Sequence, residues 1–223
     1  MSDLAESEPR TPRERFRAQI RDEVKQVALR QLAELGPAGV SVNAIGKELG
    51  VSGPALYRYF ASRDELLTEL VIDAYDDLAM ALRTAVATTP RRAPRGRFEA
   101  LARAYRGWAI AQPHRYRLLY GPPLPGYDAH ARRLIEAANA SMELLLEVLP
   151  PGGGTRPTTA LASQASDWAT DRGLQADGAT AVRALLIWSR LHGFVSLEVD
   201  GNYASMGIDP DALFEIELSA LAR

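Results

Sequence analysis

The 223-residue chain contains no cysteine, which excludes disulfides, thiolate catalysis and cysteine-based zinc sites. Lysine is nearly absent: Lys25 and Lys47 are the only two among 26 basic residues. The three histidines, His114, His130 and His192, sit in no HExxH arrangement, and no GxSxG nucleophile turn occurs. Gly152-Gly153-Gly154 is not followed by the Lys-Ser/Thr of a phosphate loop. No apolar run approaches the length of a membrane span. The N-terminus lacks a hydrophobic segment, so no secretion signal is expected and the cytoplasm is the expected location. Asn139-Ala140-Ser141 is then a chance match to a glycosylation sequon. No stretch alternates apolar and polar residues as strands do. These absences predict an all-α chain with no catalytic site, no cofactor and no metal.

What is present is helical periodicity. Phe16, Ile20, Val24, Val27, Leu32 and Leu35 mark a first helix over about 13–35, closed by Gly36-Pro37-Ala38-Gly39. Leu66, Leu70, Ala74, Leu78 and Leu82 mark a long helix over 62–87, with Asp64 and Glu65 at the positive end of its dipole. Further helices are expected over about 98–112, 128–149, 158–172 and 179–199, with 114–120 a short helix or turn. Asp209-Pro210 opens the last, for about ten in all. The arginine run 91–97 reads as a solvated loop, 121–126 as a rigid loop and 150–157 as a surface linker.

Between the first helix and the long one, residues 41–63 read SVNAIGKELGVSGPALYRYFASR. Ser41 can cap a helix whose apolar face is Val42, Ile45 and Leu49. Gly50 stands where the chain must turn, a position that favours positive φ. Ser52 then opens a second helix with Pro54 in its first turn. Two short helices around a glycine turn form a helix-turn-helix, which lays its second helix in the DNA major groove. Charge agrees: residues 10–63 hold ten basic and five acidic side chains, whereas the whole chain has a net charge of −2. A basic N-terminal quarter on an acidic body suits a protein that docks a polyanion with one end.

The segment AIGKELGVSGPALYRYFASRDELL resembles the DNA-binding domain of TetR-type transcriptional repressors, without a gap over more than twenty residues. The shared elements are Ile45, Leu49 and Val51, the Gly50 turn, Leu56-Tyr57-x-Tyr59-Phe60 and the run Ser62 to Leu67. The resemblance covers residues 13 to about 70 well and the remainder loosely. Trp188-x-x-x-His192-Gly193 also resembles the element of a TetR subgroup with a Trp-His-Gly C-terminal domain. The organisation so implied is a disordered tail (1–12), a DNA-binding domain (13–62) and an effector-binding and dimerisation domain (63–223).

The resemblance places Ser41, Tyr57, Tyr59 and Arg63 at DNA phosphates, although the Tyr57 ring is also suited to packing between helices. Asn43, Ser52, Gly53, Pro54, Ala55 and Arg58 are the candidates to face bases, with Arg58 equally suited to a guanine or a phosphate. The resemblance also implies an inducer pocket in the C-terminal body. Tyr105, Trp108, His114, Tyr116, Met142, Trp168 and His192 are its candidates, each equally suited to core packing. The helix over 179–199 is apolar nearly all round, as a helix buried on several sides must be. One side is expected to meet a second subunit, through Trp188, Leu191 and Val195 with Leu213, Ile216 and Leu221 of the last helix; the alternative is the central helix of a monomer. Gly193 would let another helix approach closely. The expected partners are a palindromic double-stranded operator, a small apolar effector and a second copy of the chain.

Overall fold

The computed structural model describes residues 11–121, 132–149 and 156–222. His130 and most of the expected tail, loop 121–126 and linker 150–157 lie outside them. Eleven α-helices and no strand occur among the described residues. These divide into two compact units that meet between residues 71 and 72.

The first unit begins with α1 (Pro12–Leu35), α2 (Val42–Leu49) and α3 (Gly53–Leu56). α1 starts with a capping box. The Thr11 hydroxyl accepts from the Glu14 amide at 3.2 Å, and the Glu14 carboxylate accepts from the Thr11 amide at 2.8 Å. Its buried face is Val24, Val27, Ala28 and Leu32. Phe16 and Leu35, expected on that face, are 59% and 65% exposed. A single 3₁₀ turn, Pro37–Gly39, leads to α2.

The next helix, α4, spans Arg63–Ala87 as one element and contributes to both units. The division into compact units falls inside it, after Val71. Its first turns are tied into the first unit: Arg63 donates to the Pro37 and Val40 carbonyls, and Glu69 pairs with Arg21 at 3.1 Å.

The second unit adds α5 (Pro94–Ala111), α6 (Pro113–Tyr120), α7 (Arg132–Val148), α8 (Thr159–Asp171), α9 (Gly178–Val199), α10 (Asn202–Ser205) and α11 (Pro210–Leu221). α5 begins four residues earlier than the periodicity suggested, because Pro94 occupies its first turn. Part of the expected arginine loop is therefore helical. Arg95 pairs with Glu99 at 2.8 Å and Arg97 with Glu147 of α7 at 2.7 Å. Thr158, Asp177 and Asp209 cap α8, α9 and α11. The core centres on α5 and α9, around Phe98, Leu101, Tyr105, Leu191, Phe194 and Val195, with Phe214 and Leu218 of α11 closing one side. Arg106 of α5 bridges Glu198 and Asp211, each at 2.6 Å, which locks α5 to α9 and α11.

Candidate functional site

The helix-turn-helix is built from α2 and α3. The Ser41 hydroxyl accepts from the Ala44 amide at 3.3 Å and caps α2. Gly50 ends it at φ +66°, in the left-handed region where a side chain is strained. Gly46 sets the turn as firmly. A Cβ there would lie 2.7 Å from the Val51 carbonyl oxygen and 3.1 Å from Leu56 Cδ1. The Val51 amide donates to the Gly46 carbonyl at 2.8 Å. Only a residue without a side chain allows that approach. Gly46 escaped the sequence reading, because a glycine within a helical pattern signals nothing without its neighbour in space.

Asn43, Ser52, Pro54, Tyr57 and Arg58 are exposed, and Ser41, Gly53, Ala55 and Tyr59 are partly so. The Tyr57 ring, 48% exposed, is not packed between helices. Asn43 Oδ1 would lie 3.2 Å from a Cβ added at Gly53, so the Asn43 carboxamide covers the start of α3. Two arginines of α1 hold the end of the motif: Arg17 donates to the Arg58 carbonyl at 3.1 Å, and Arg21 donates to the Tyr59 carbonyl. The Arg21 guanidinium also lies 4.3 Å from the Phe60 ring centroid.

Arg63 stands differently from the expectation. Its Nε and Nη2 donate to the Val40 and Pro37 carbonyls at 2.8 and 2.6 Å. The side chain binds the segment that leads into α2 rather than projecting as an open cation. The +5 of this region is also partly internal, since Arg30 pairs with Glu48 at 2.6 Å. Among the described residues, Arg13, Arg15, Lys47 and Arg58 form no ion pair with their side chains.

The second unit holds a partly open cavity of about 290 Å³. Its wall is mostly apolar: Leu82, Leu101, Met142, Leu145, Leu185 and Leu191, with the rings of Tyr75, Tyr105, Tyr120, Trp168 and Trp188. Ala138, Asn139, Ser141 and Arg172 complete it. Of the seven effector candidates, Tyr105, Met142 and Trp168 line this space. Trp108, His114, Tyr116 and His192 do not. Trp108 donates its indole N–H to Asp77 at 2.9 Å, and His114 is exposed. Tyr116 and His192 lie outside the wall: the Tyr116 hydroxyl is 2.9 Å from His192 Nδ1 and 3.2 Å from the His192 carbonyl oxygen.

Trp188 stacks on His192 at 5.6 Å and 15° between planes, and Tyr120 contacts both rings. Burial raises the Tyr116 hydroxyl to about 12 and pushes Tyr105 and Tyr120 up further, so all three are neutral donors at physiological pH. Burial lowers the His192 imidazole, favouring its neutral form. Asn139, Ser141 and Arg172 carried no sequence signal, because polar residues on amphipathic helices ordinarily face solvent.

The residues expected at a subunit interface divide in two. Leu191, Val195 and Leu221 are buried inside the protomer, and Trp188 faces the cavity. Ile216 is 69% exposed and Leu213 partly exposed. The outward apolar positions of α9 are Leu186 and Leu197, which the sequence pattern did not separate from its core positions. Among the described residues, no atom from another element lies within 4 Å of a Cβ added at Gly193, so none of the described helices makes the close approach expected there.

No helix among the described residues is long and apolar enough to cross a membrane, and no cluster there could hold a metal. A helix-turn-helix at the N-terminus, followed by a separate helical unit with its own cavity, defines a class: helix-turn-helix transcriptional regulators. Two family models match the chain. One, for bacterial regulatory proteins of the tetR family, covers residues 26–70. The other, for the tetracyclin repressor-like C-terminal domain, covers 98–221. The chain belongs to the TetR family of transcriptional regulators.

It is similar to HTH-type transcriptional regulator Rv1816 of Mycobacterium tuberculosis, with 38% identity over 214 residues that cover 92% of each chain. Among solved structures it resembles the regulatory protein SCO4313, with 41% identity, a TM-score of 0.79 and coverage of 95% of this chain and 98% of that one. It also resembles a protein of unknown function from Rhodococcus sp. RHA1, with 27% identity, a TM-score of 0.70 and coverage of 92% and 94%.

Proposed function

We propose that this regulator is a homodimeric repressor that leaves a near-palindromic operator when a small, mostly apolar effector enters the cavity of its second unit. The observation that carries the reading is the cavity itself: about 290 Å³, walled chiefly by leucines and aromatic rings, in a chain whose other unit is a helix-turn-helix. Its volume lies just below the roughly 300–1,000 Å³ usual for small-molecule sites, which suits a compact ligand. Tyr57, Tyr59 and Ser41 position the motif on phosphates, while Asn43, Ser52, Gly53, Pro54, Ala55 and Arg58 face the bases. Dimers form through the outer faces of α9 and α11, where Leu186, Leu197 and Ile216 are exposed. The protein acts in the cytoplasm, on double-stranded DNA.

An effector that binds better to the conformer with weaker DNA affinity releases the operator by linkage. α4 supplies residues to both units and carries the chain from the first into the second. Selection of bound sites from random DNA tests the first half of this reading, and operator release by small apolar compounds tests the second. Enriched sites without two-fold symmetry would reject the dimer. Saturable ligand binding that never changes DNA affinity would reject the switch.

A further inference from the structure

We infer that the ligand of this cavity is a compact apolar acid, its carboxylate held by Arg172 and its body packed against the leucine and aromatic wall. The inference rests on the ligand-responsive reading above and names the chemical class of that ligand. Two observations converge on it. First, Arg172 is the one charged residue among those lining the cavity, and no acidic side chain lines it. Second, among the described residues the Arg172 guanidinium makes no ion pair or hydrogen bond; it rests on the Trp168 ring, 5.3 Å from the centroid.

A guanidinium beside an apolar cavity ordinarily finds a carboxylate, with which it forms a planar bidentate pair. Asn139 donates its side-chain N–H to the Arg172 backbone carbonyl at 2.9 Å, which ties residue 172 to α7 at the cavity wall. A carboxylate with two acceptor oxygens would complete the Arg172 guanidinium. The remaining wall offers only rings and aliphatic side chains, so the rest of the ligand is apolar.

The test is calorimetric titration of the full-length protein with 3-phenylpropionate and octanoate, each against its primary amide. The acids are expected to bind on the order of tenfold tighter than the amides, the ratio that a charge-assisted hydrogen bond corresponds to. Arg172→Gln is expected to erase that ratio, and Arg172→Lys to retain part of it. Equal binding of acid and amide would overturn the inference, as would undetectable binding of both acids at millimolar concentration. So would an Arg172→Gln protein that still prefers the acid. The wild-type ratio needs no variant, so a variant that fails to fold leaves the test intact. Operator release, followed in parallel by DNA fluorescence anisotropy, separates the two readings. Acids that bind without releasing DNA refute the switch and leave the acid site standing. Release by the amides alone refutes the acid and leaves the switch.

Discussion

Replacing Arg63 distinguishes a scaffold role from a DNA contact. Its guanidinium donates to two backbone carbonyls, Val40 at 2.8 Å and Pro37 at 2.6 Å, and so clamps the turn that leads into α2. Hydrogen bonds to charged groups contribute about 1.5–3 kcal/mol each. The side chain is only partly buried, and water can reach carbonyls freed by the substitution, so both bonds together come to less than that range implies. A cation in the first turn of α4 also opposes the helix dipole, and its removal returns a few tenths of a kcal/mol, roughly 0.3. The net expectation for Arg63→Ala is a loss of about 1–2 kcal/mol. Arg63→Lys should recover less than half, because one ammonium cannot replace two nitrogens of a planar fork. Urea denaturation of the two variants measures this. Binding of each to a selected operator between low and high salt then gives the slope of log K against log salt. The slope should not change, since no phosphate contact is lost. Unchanged stability with a slope shallower by about one unit would show the opposite, an arginine that spends its charge on DNA.

Three further outcomes are expected. Gly46→Ala should destabilise the protein by about 1–2 kcal/mol: overpacking against the Val51 carbonyl costs about 1–3, and removing a helical glycine returns about 0.5–1. A variant as stable as the wild type, measured by denaturation, would show that the turn relaxes at no cost. Stability should fall as pH drops below the ordinary histidine value near 6.5, because burial lowers folded His192 and the unfolded chain then binds more protons. His192→Gln should flatten that decline in thermal unfolding curves recorded across roughly pH 5–7; an identical slope in the variant would assign it elsewhere. Ile216→Arg should shift sedimentation toward the monomer mass at little cost in stability, whereas Leu221→Ala, buried in the protomer, should cost about 2–5 kcal/mol. An Ile216→Arg dimer of unchanged affinity would move the interface away from α11.

The DNA-binding unit was largely legible in the sequence, and the cavity was not. Ser41, Gly50 and Pro54 signal locally, through caps and turn conformations that act within a few residues of the chain. Gly46 and Arg63 act across the turn, on Val51 and on Pro37 and Val40, so their roles emerged only with the fold. In the second unit the aromatic candidates divide: Tyr105 and Trp168 line the cavity, and Trp108 and Tyr116 do not. Tyr105 and Tyr116 lie on adjacent helices, yet only Tyr105 reaches the cavity. Trp188 and Leu191 were expected to face a partner because periodicity reports that a helix is apolar all round without saying which arc meets what. Leu186 and Leu197 show the complement: apolar positions of the same helix that the fold leaves outside.

Every residue that lines the cavity lies beyond position 72, and every residue of the helix-turn-helix lies before it. Substitutions that reshape the cavity therefore leave the DNA-reading surface unedited, and the converse holds. On the ligand-responsive reading proposed above, a lineage carrying this architecture can exchange Arg172 for a neutral residue, or Met142 for a bulkier one, and answer to a new compound while its set of target genes stays the same. On the same reading, a duplicated copy can instead drift at Asn43 or Arg58 and bring new genes under an old chemical signal.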